Sequence, residues 1–320
     1  MAVFTHLKLL GYVDLSGMVF PTGISAAANR TEGRVNGRDG NAGMLSEYDL
    51  AVQADRDNFH HGFNAGYVAT GGFAVVIAKA ENRVAFLDLR ALFEAMRSAY
   101  LTTEENYRQT RSLGDGPGQW PFTFDEQPGW RPRVVKILPV SRPTAALARM
   151  NEGPGAQAVV AGEDGTLQFF QLEGAAAPPP NAAPSIRLIH TLAAGRNPVC
   201  LAYPKHYGDG FIVVSRGDRE IEWISDWSGQ ARVTRRLRDR RLIDPVFAEV
   251  ADTHGIEGPL VTVADFKGRQ ILNYRFGDLR FATQGGAQFG LGSTGRDSFE
   301  CGGSLPLPGC PFAISATNVN

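Results

Sequence analysis

The chain has 320 residues, 43% of them hydrophobic, and its 32 basic and 33 acidic side chains leave a formal net charge of −1. That length allows one large all-β domain or two smaller domains. The even charge balance argues against nucleic acid or an anionic membrane as a partner. No apolar run is long enough to span a membrane, and the first residues lack the pattern of a signal peptide. Taken alone, these features predict a cytoplasmic protein without a membrane span.

Four segments share one pattern: an apolar strand, a polar turn and a second strand with alternating apolar residues. They are 73–89, 158–172, 211–226 and 259–276. The turn chemistry and the flanking β-branched residues predict a β-hairpin in each. Glu81, Asp164, Asp218 and Asp265 occupy comparable positions in these hairpins, and the sequence assigns them no role.

A proline followed by a short apolar strand forms a second recurring element. The prolines are Pro21, Pro143, Pro198, Pro245 and Pro311, and the segment 64–70 is interpreted as a copy without proline. A strand-turn-strand unit that repeats every 40–50 residues or so is typical of a β-propeller blade. We therefore predict a single all-β propeller domain over 1–320 with six blades, seven being the alternative.

The hairpin at 73–89 also resembles the repeat of the YVTN (YncE-like) propellers. Val76, Asn82, Val84 and Asp88 fall on the family pattern, whereas the other three hairpins lack the asparagine and most lack the aspartate. The resemblance implies a propeller fold and a periplasmic or extracellular location. It implies no fixed activity.

Cys301 and Cys310 flank a bend rich in glycine and proline that brings them within reach of a disulfide. The resemblance favours this disulfide, because it implies an oxidising compartment. Two free thiols in a reducing compartment are the alternative. Cys200, in an apolar run, is predicted to be a small buried core residue.

The segment 91–133 interrupts the repeat, and we expect it to lie outside the ring. The apolar spacing at its start predicts a short amphipathic helix over 91–107. The loop that follows contains the aromatic residues Trp120, Phe122, Phe124 and Trp130. These side chains either pack against a hydrophobic face or present a surface to a protein partner.

Three polar motifs have ordinary structural explanations. His60 and His61 are interpreted as part of a polar loop rather than a metal site, because neighbouring residues on a strand point to opposite faces. The tripeptide 216–218 is interpreted as a hairpin turn. The arginine-rich run 232–244 is interpreted as the solvated outer strand of a blade, with a site for an acidic protein partner as the alternative.

The two ends of the sequence suggest how the ring closes. Residues 310–320 are predicted to form the first strand of the closing blade, and residues 4–15 its outer part. That blade lacks a middle hairpin, and one alternative is that the chain is part of a longer propeller. Either the two ends lie side by side in one incomplete sheet, or a neighbouring chain supplies strands.

No motif for a nucleophile, a metal cluster or a cofactor stands out in the sequence. We therefore predict a non-enzymatic binding or structural module that contacts protein partners, as a subunit of a larger assembly, without a cofactor. The alternative is a metal-dependent hydrolase of the lactonase kind, with Ca²⁺ or Zn²⁺ at the central channel. Ligands drawn from separate blades would leave no local motif.

Overall fold

The fold is built mainly from antiparallel strands. The computed structural model describes residues 9–29, 35–41, 43–111, 122–150, 155–175, 184–203, 210–250, 256–257, 260–276, 279–282, 288–291 and 299–315. Three α-helices accompany the strands in these ranges. None of the helices described is both long enough and apolar enough to span a membrane.

Four antiparallel sheets of four strands follow one another along the chain. The first contains β1 (Gly23–Ala28), β2 (Gly72–Ala78), β3 (Arg83–Asp88) and β4 (Arg133–Pro139). The second contains β5 (Pro143–Met150), β6 (Ala156–Gly162), β7 (Thr166–Glu173) and β8 (Ser185–Ala193). The third contains β9 (Pro198–Ala202), β10 (Phe211–Ser215), β11 (Glu220–Ile224) and β12 (Val233–Arg238).

The fourth sheet carries an insertion. Its strands are β13 (Pro245–Val250), β15 (Leu260–Asp265), β16 (Gln270–Phe276) and β19 (Phe299–Pro306). The strands β14 (Ile256–Glu257), β17 (Leu279–Ala282) and β18 (Gln288–Leu291) form a separate three-stranded sheet. In all four large sheets, each strand pairs with the next one along the chain once this insertion is set aside.

The four sheets are the blades of a β-propeller. Their first strands contact one another in turn: β1 lies against β5, β5 against β9, and β9 against β13. The blade faces are joined by buried apolar clusters, such as the one in which Phe86 of blade 1 meets Phe170 of blade 2 with ring centroids 5.2 Å apart. Phe169 and Phe211 join blades 2 and 3 in the same way, at 5.9 Å. The predicted all-β propeller fold is confirmed.

The predicted hairpins are the middle strands of the blades. The segment 73–89 forms β2 and β3, and the other three segments form the corresponding pairs in blades 2, 3 and 4. Pro143, Pro198 and Pro245 each open a first strand. The first residue of a strand is a position where the missing proline N–H is tolerated.

The segment 64–70 is not a repeat copy, so that interpretation was wrong. It contains a 3-10 turn (Ala65–Tyr67) and no strand. The long separation between Pro21 and Pro143 arises instead from two insertions in blade 1, between β1 and β2 and between β3 and β4. The described residues complete four blades, and the count of six is not confirmed.

Helices occupy both insertions of blade 1. The helix predicted in 91–107 is present as two helices, α2 (Arg90–Leu101) and α3 (Glu104–Arg111). A further helix, α1 (Gln53–His60), was missed, because Phe59 is its only large apolar residue. It packs on α2. Two more 3-10 turns span Leu45–Glu47 and Pro128–Trp130.

The buried aromatic contact between blades 1 and 2 provides a test of the packing. Phe86 is fully buried, so replacing it with alanine removes a large side chain and leaves a cavity. We expect Phe86→Ala to lower the free energy of unfolding by about 3–5 kcal/mol in urea titrations. The half-exposed Leu188 on β8 serves as a control. Leu188→Ala should lower the free energy of unfolding by less than about 1 kcal/mol. Equal losses in the two variants would contradict this packing.

Candidate functional site

One end of the propeller gathers the hairpin turns and the linkers between blades. In blade 1, the start of β1 pairs with the end of β2, and the start of β3 pairs with the ends of β2 and β4. Blades 2, 3 and 4 repeat this register. We call this end the hairpin face. It comprises the turns 79–82, 163–165, 216–219 and 266–269 and the linkers 140–142, 194–197, 239–244 and 307–310.

Carboxylates in the hairpins hold the backbone that leads into each blade. The carboxylate of Asp265 accepts the N–H groups of Ile243 and Asp244, both at 2.7 Å, just before β13. It also accepts the N–H of Gly268 in its own turn at 3.0 Å, and it is fully buried. The bond from Asp244 is buried and its N–H has no sheet partner, so this carboxylate satisfies a donor that would otherwise be buried without a bond.

Two other blades use the same arrangement. Glu81 accepts the N–H of Val19 at 2.8 Å, ahead of β1. Asp218 accepts the N–H and the Nε of Arg196, both at 2.7 Å, ahead of β9. Hydrogen bonds from Arg196 lower the pKa of the Asp218 carboxyl. Three of the four hairpin acids noted in the sequence therefore position the linker of their own blade.

Blade 2 departs from this pattern. Asp164 accepts the N–H of Thr166 within its own turn at 2.9 Å. The neighbouring Glu163 instead forms ion pairs with Arg142 of the linker and, at 3.3 Å, with Lys79 of blade 1. The backbone of this linker is held from both sides as well: the N–H of Arg142 donates to the side-chain oxygen of Asn82 at 2.8 Å, and its carbonyl accepts the N–H of Glu163 at 3.0 Å.

A second set of acids anchors the arginine-rich strand. The prediction that the run 232–244 contains an outer strand is confirmed by β12. The carboxylate of Glu222 is fully buried and accepts bonds from the N–H of Gly195 at 2.7 Å, the Ser215 hydroxyl at 2.8 Å and Nε of Arg236 at 3.0 Å. The sequence analysis missed this buried acid, although the alternation of acids on β11 opposite arginines on β12 is a readable signal.

Basic side chains outnumber acidic ones on the hairpin face. The basic residues are Lys79, Arg142, Arg196, Arg216, Arg219, Arg240, Arg241, Lys267 and Arg269, and the acidic residues are Glu81, Glu163, Asp164, Asp218, Asp239 and Asp244. Several acids are already engaged: Arg241 lowers the pKa of Asp239 by hydrogen bonding, and Arg216 does the same for Asp244. The face therefore presents a positive surplus on a chain that is nearly neutral overall.

The aromatic residues of the insertion pack within the molecule. Phe122 and Phe124 are buried, and the ring of Phe122 stacks on that of Trp130 with centroids 5.1 Å apart. The N–H of Phe124 donates to the carbonyl of Leu10 at 2.6 Å. These contacts favour packing over partner binding for these three residues, and Trp120 lies outside the described residues.

The predicted disulfide is absent from this structure. Cys301 is a half-buried free thiol on β19, and Cys310 is an exposed free thiol. Cys200 is buried as expected, and desolvation raises the pKa of its thiol to about 11.

His60 and His61 lie at the C-terminal end of α1 rather than in a loop, with ring centroids 3.7 Å apart. Burial lowers the pKa of His60. Within the ranges given above, no group of three or more His, Cys, Asp and Glu side chains is placed to hold a metal ion. The predicted pairing of the two chain ends falls partly on residues 1–8 and 316–320, which lie outside the described ranges.

Among known proteins, only solved structures match this chain. No protein-family model and no curated protein matches the chain. It is similar to BBS1N in complex with ARL6DN, with 14% identity, a TM-score of 0.35, and coverage of 68% of this chain and 58% of that chain. A protein from Lactobacillus plantarum matches with 12% identity, a TM-score of 0.38, and coverage of 69% and 52%.

The β-propeller domain of Cps50 (Swd1) from Myceliophteria thermophila matches with 12% identity, a TM-score of 0.38, and coverage of 66% of this chain and 50% of that chain. The present chain thus spans just over half the length of these solved proteins. Because the TM-scores are low, the assignment of a propeller rests on the sheets and their contacts.

The buried carboxylate of Asp265 provides a test of the linker bonds. Asp265→Asn keeps the shape but replaces one acceptor oxygen with a donor, so one linker N–H loses its partner. We expect the free energy of unfolding to fall by about 1–3 kcal/mol in urea titrations. The matched control is Asp164→Asn, at an exposed hairpin acid that bonds within its own turn, and it should cost clearly less. A neutral Asp265→Asn would contradict the role given to this carboxylate.

The ion pair of Arg216 and Asp244 predicts a pH dependence. The folded-state pKa of Asp244 is lowered from 3.8, chiefly by its hydrogen bond with Arg216. The resulting stabilisation is present above the unfolded-state pKa and is lost as the pH falls through the folded-state value. We expect Asp244→Asn to be less stable than wild type near pH 7, and the difference to shrink below about pH 3.8. A difference in unfolding free energy that stays constant with pH would contradict this.

Proposed function

We propose that the chain is a non-enzymatic protein-binding module, part of a larger assembly, that accepts a strand from a protein partner at the edge of residues 311–315. The observation that carries this proposal is a linker contact that recurs after blades 1, 2 and 4. In each case, the first residue after the fourth strand of a blade donates its N–H to a backbone carbonyl in the hairpin turn of the same blade. The residue that carries this carbonyl has a positive φ, in the left-handed region. The bonds are Val140–Asn82 (2.9 Å), Ala194–Gly165 (2.8 Å) and Leu307–Arg269 (2.7 Å).

The first two of these contacts lead directly into the first strand of the next blade, at Pro143 and Pro198. The third leads to Pro311 at nearly the same distance along the chain. From this we infer that residues 311–315 belong to the position of a first strand in a further blade. A partner strand that pairs with them would extend the sheet order already present in the molecule.

The edge of 311–315 is open in the part of the chain that the structure describes, because no strand pairs with it there. Phe312 is 77% exposed, and Leu305 on the neighbouring β19 is 56% exposed. Residues 311–315 form no strand in the structure, and an unpaired segment beside exposed apolar side chains suits β-strand addition, in which backbone bonds supply affinity and side-chain pockets supply selectivity. Protein is the partner class that offers such a strand.

The location outside the cytoplasm and membership of the YVTN family are proposals that rest on the sequence of β2 and β3. A Cys301–Cys310 disulfide belongs with them. In an oxidising compartment, the bridge would close the bend that precedes Pro311 and would restrict the same open strand.

Photo-crosslinking tests the strand-addition proposal. We expect Phe312→p-benzoylphenylalanine, expressed in the native host, to crosslink a protein partner. The same replacement at the exposed Leu188 of blade 2 is the matched control, and it should not capture that partner. Amide hydrogen exchange gives the second readout: residues 312–315 should exchange rapidly in the isolated chain and become protected in the assembly. Protection already present in the isolated chain, or equal crosslinking from both positions, would contradict the proposal.

A further inference from the structure

The junction between blades 3 and 4 on the hairpin face carries a cluster of three cations, of which one forms an ion pair within the described residues. We propose that this cluster binds an acidic segment of a protein partner. The cluster consists of Arg216 and Arg219 in the turn of blade 3 and Lys267 in the turn of blade 4. Two acids lie among them: Asp244, in the linker that joins the two blades, and Asp218, which already accepts the N–H and Nε of Arg196.

Asp244 is already occupied. Its two carboxylate oxygens accept Nε and Nη2 of Arg216 at 2.6 and 2.8 Å, and its side chain is only 8% exposed. Its backbone N–H donates to Asp265, and its carbonyl accepts the N–H of Phe266 at 2.9 Å. The carboxylate is thus fixed on every side and neutralises one cation, Arg216.

Arg219 and Lys267 remain without an acid of their own. Both are exposed, and both lie close enough to Asp244 to lower its pKa. Neither forms an ion pair with any other described residue. Two exposed cations therefore lie near an ion pair that is already complete, and their charges point to an anion supplied from outside.

Arg219 also occupies an unfavourable backbone conformation. Its φ is 54°, in the left-handed region, at the corner of the hairpin before the third strand. The equivalent corners of blades 1 and 2 hold Asn82 and Gly165, residue types that adopt this region at lower cost. The corner of blade 4 also holds an arginine, Arg269, but its guanidinium bonds the carbonyl of Pro308, whereas Arg219 has no such partner among the described residues. The cost of a left-handed arginine without a structural partner is expected where the side chain serves binding.

The cluster fits separate carboxylates better than a nucleic acid backbone. Arginine and lysine are interleaved with the acids Asp218 and Asp244, which would repel a continuous line of phosphates. The aromatic ring of these turns, Phe266, is covered by the guanidinium of Arg216 at 6.0 Å. It is therefore poorly placed to stack on a base. The separate carboxylates of a short run of glutamate or aspartate can each pair with one of these cations.

This inference relies on the proposed role in protein binding but not on strand addition, so it is tested at the hairpin face alone. The probe is a fluorescently labelled hexaglutamate peptide, with hexaglutamine as the uncharged comparison and a single-stranded oligonucleotide as the competing class. Binding to the full chain is followed by fluorescence anisotropy at low and high salt. The test variant is Arg219→Asn combined with Lys267→Gln. The control is Arg133→Gln combined with Lys136→Gln, on exposed positions of β4 with the same change in charge.

We expect hexaglutamate to bind at low salt and to be released as salt rises, because exposed ion pairs are screened. The test variant should weaken binding by about threefold to tenfold, whereas the control should leave it nearly unchanged. Arg219→Asn alone should leave the melting temperature unchanged or raise it, because asparagine adopts the left-handed backbone conformation at lower cost than arginine. A loss of binding with intact folding therefore separates recognition from structure.

Three results would overturn the inference: no binding of hexaglutamate at low salt, equal loss in test and control variants, or tighter binding of the oligonucleotide that the test variant abolishes. Crosslinking at Phe312 does not depend on this face. If hexaglutamate fails to bind but Phe312 crosslinks a partner, only the proposal of an acidic segment is rejected. If both experiments fail, the proposal of a protein-binding module is rejected as well.

Discussion

At the end of β15, the buried carboxylate of Asp265 accepts the backbone N–H groups of Ile243 and Asp244, where the chain passes from one blade to the next. A linker at this point belongs to no sheet, and its donors need partners that the strands cannot give. Glu81 and Asp218 meet the same need in blades 1 and 3. These bonds fix where each first strand begins, and the packing of one first strand on the next follows from that.

The use of acids for this purpose has an electrostatic consequence. A carboxylate that holds backbone N–H groups or a single arginine offers little to a partner. The arginines and lysines that follow in the same turns remain at the surface, so a nearly neutral chain acquires a positive hairpin face. The carboxylates that hold the linkers and the exposed cations of the turns thus lie at the same end of the propeller.

The opposite end of blade 1 has a different character. Both insertions of that blade leave from this end, and α1, α2 and α3 enclose a cavity of about 510 Å³. Val35, Phe59 and Leu101 form its buried apolar floor. Phe93 of α2 lies so close to Gly72 that a Cβ there would approach its ring to 2.5 Å. α2 therefore packs closely against the start of β2.

Local chemistry determined much of the fold. The alternation and turn residues of 73–89 predict a hairpin on their own, and prolines such as Pro143 mark strand starts, because both effects act over a few residues. Interactions between distant residues decided the rest. Glu222 is buried because Arg236, Ser215 and the linker N–H of Gly195 converge on it, and α1 is a helix because α2 covers its single large apolar residue. The alternation of acids and arginines indicates the pairing of Glu222 with Arg236, but the convergence of Ser215 and Gly195 on the same carboxylate, and of α2 on α1, depends on how strands, linkers and insertions pack together.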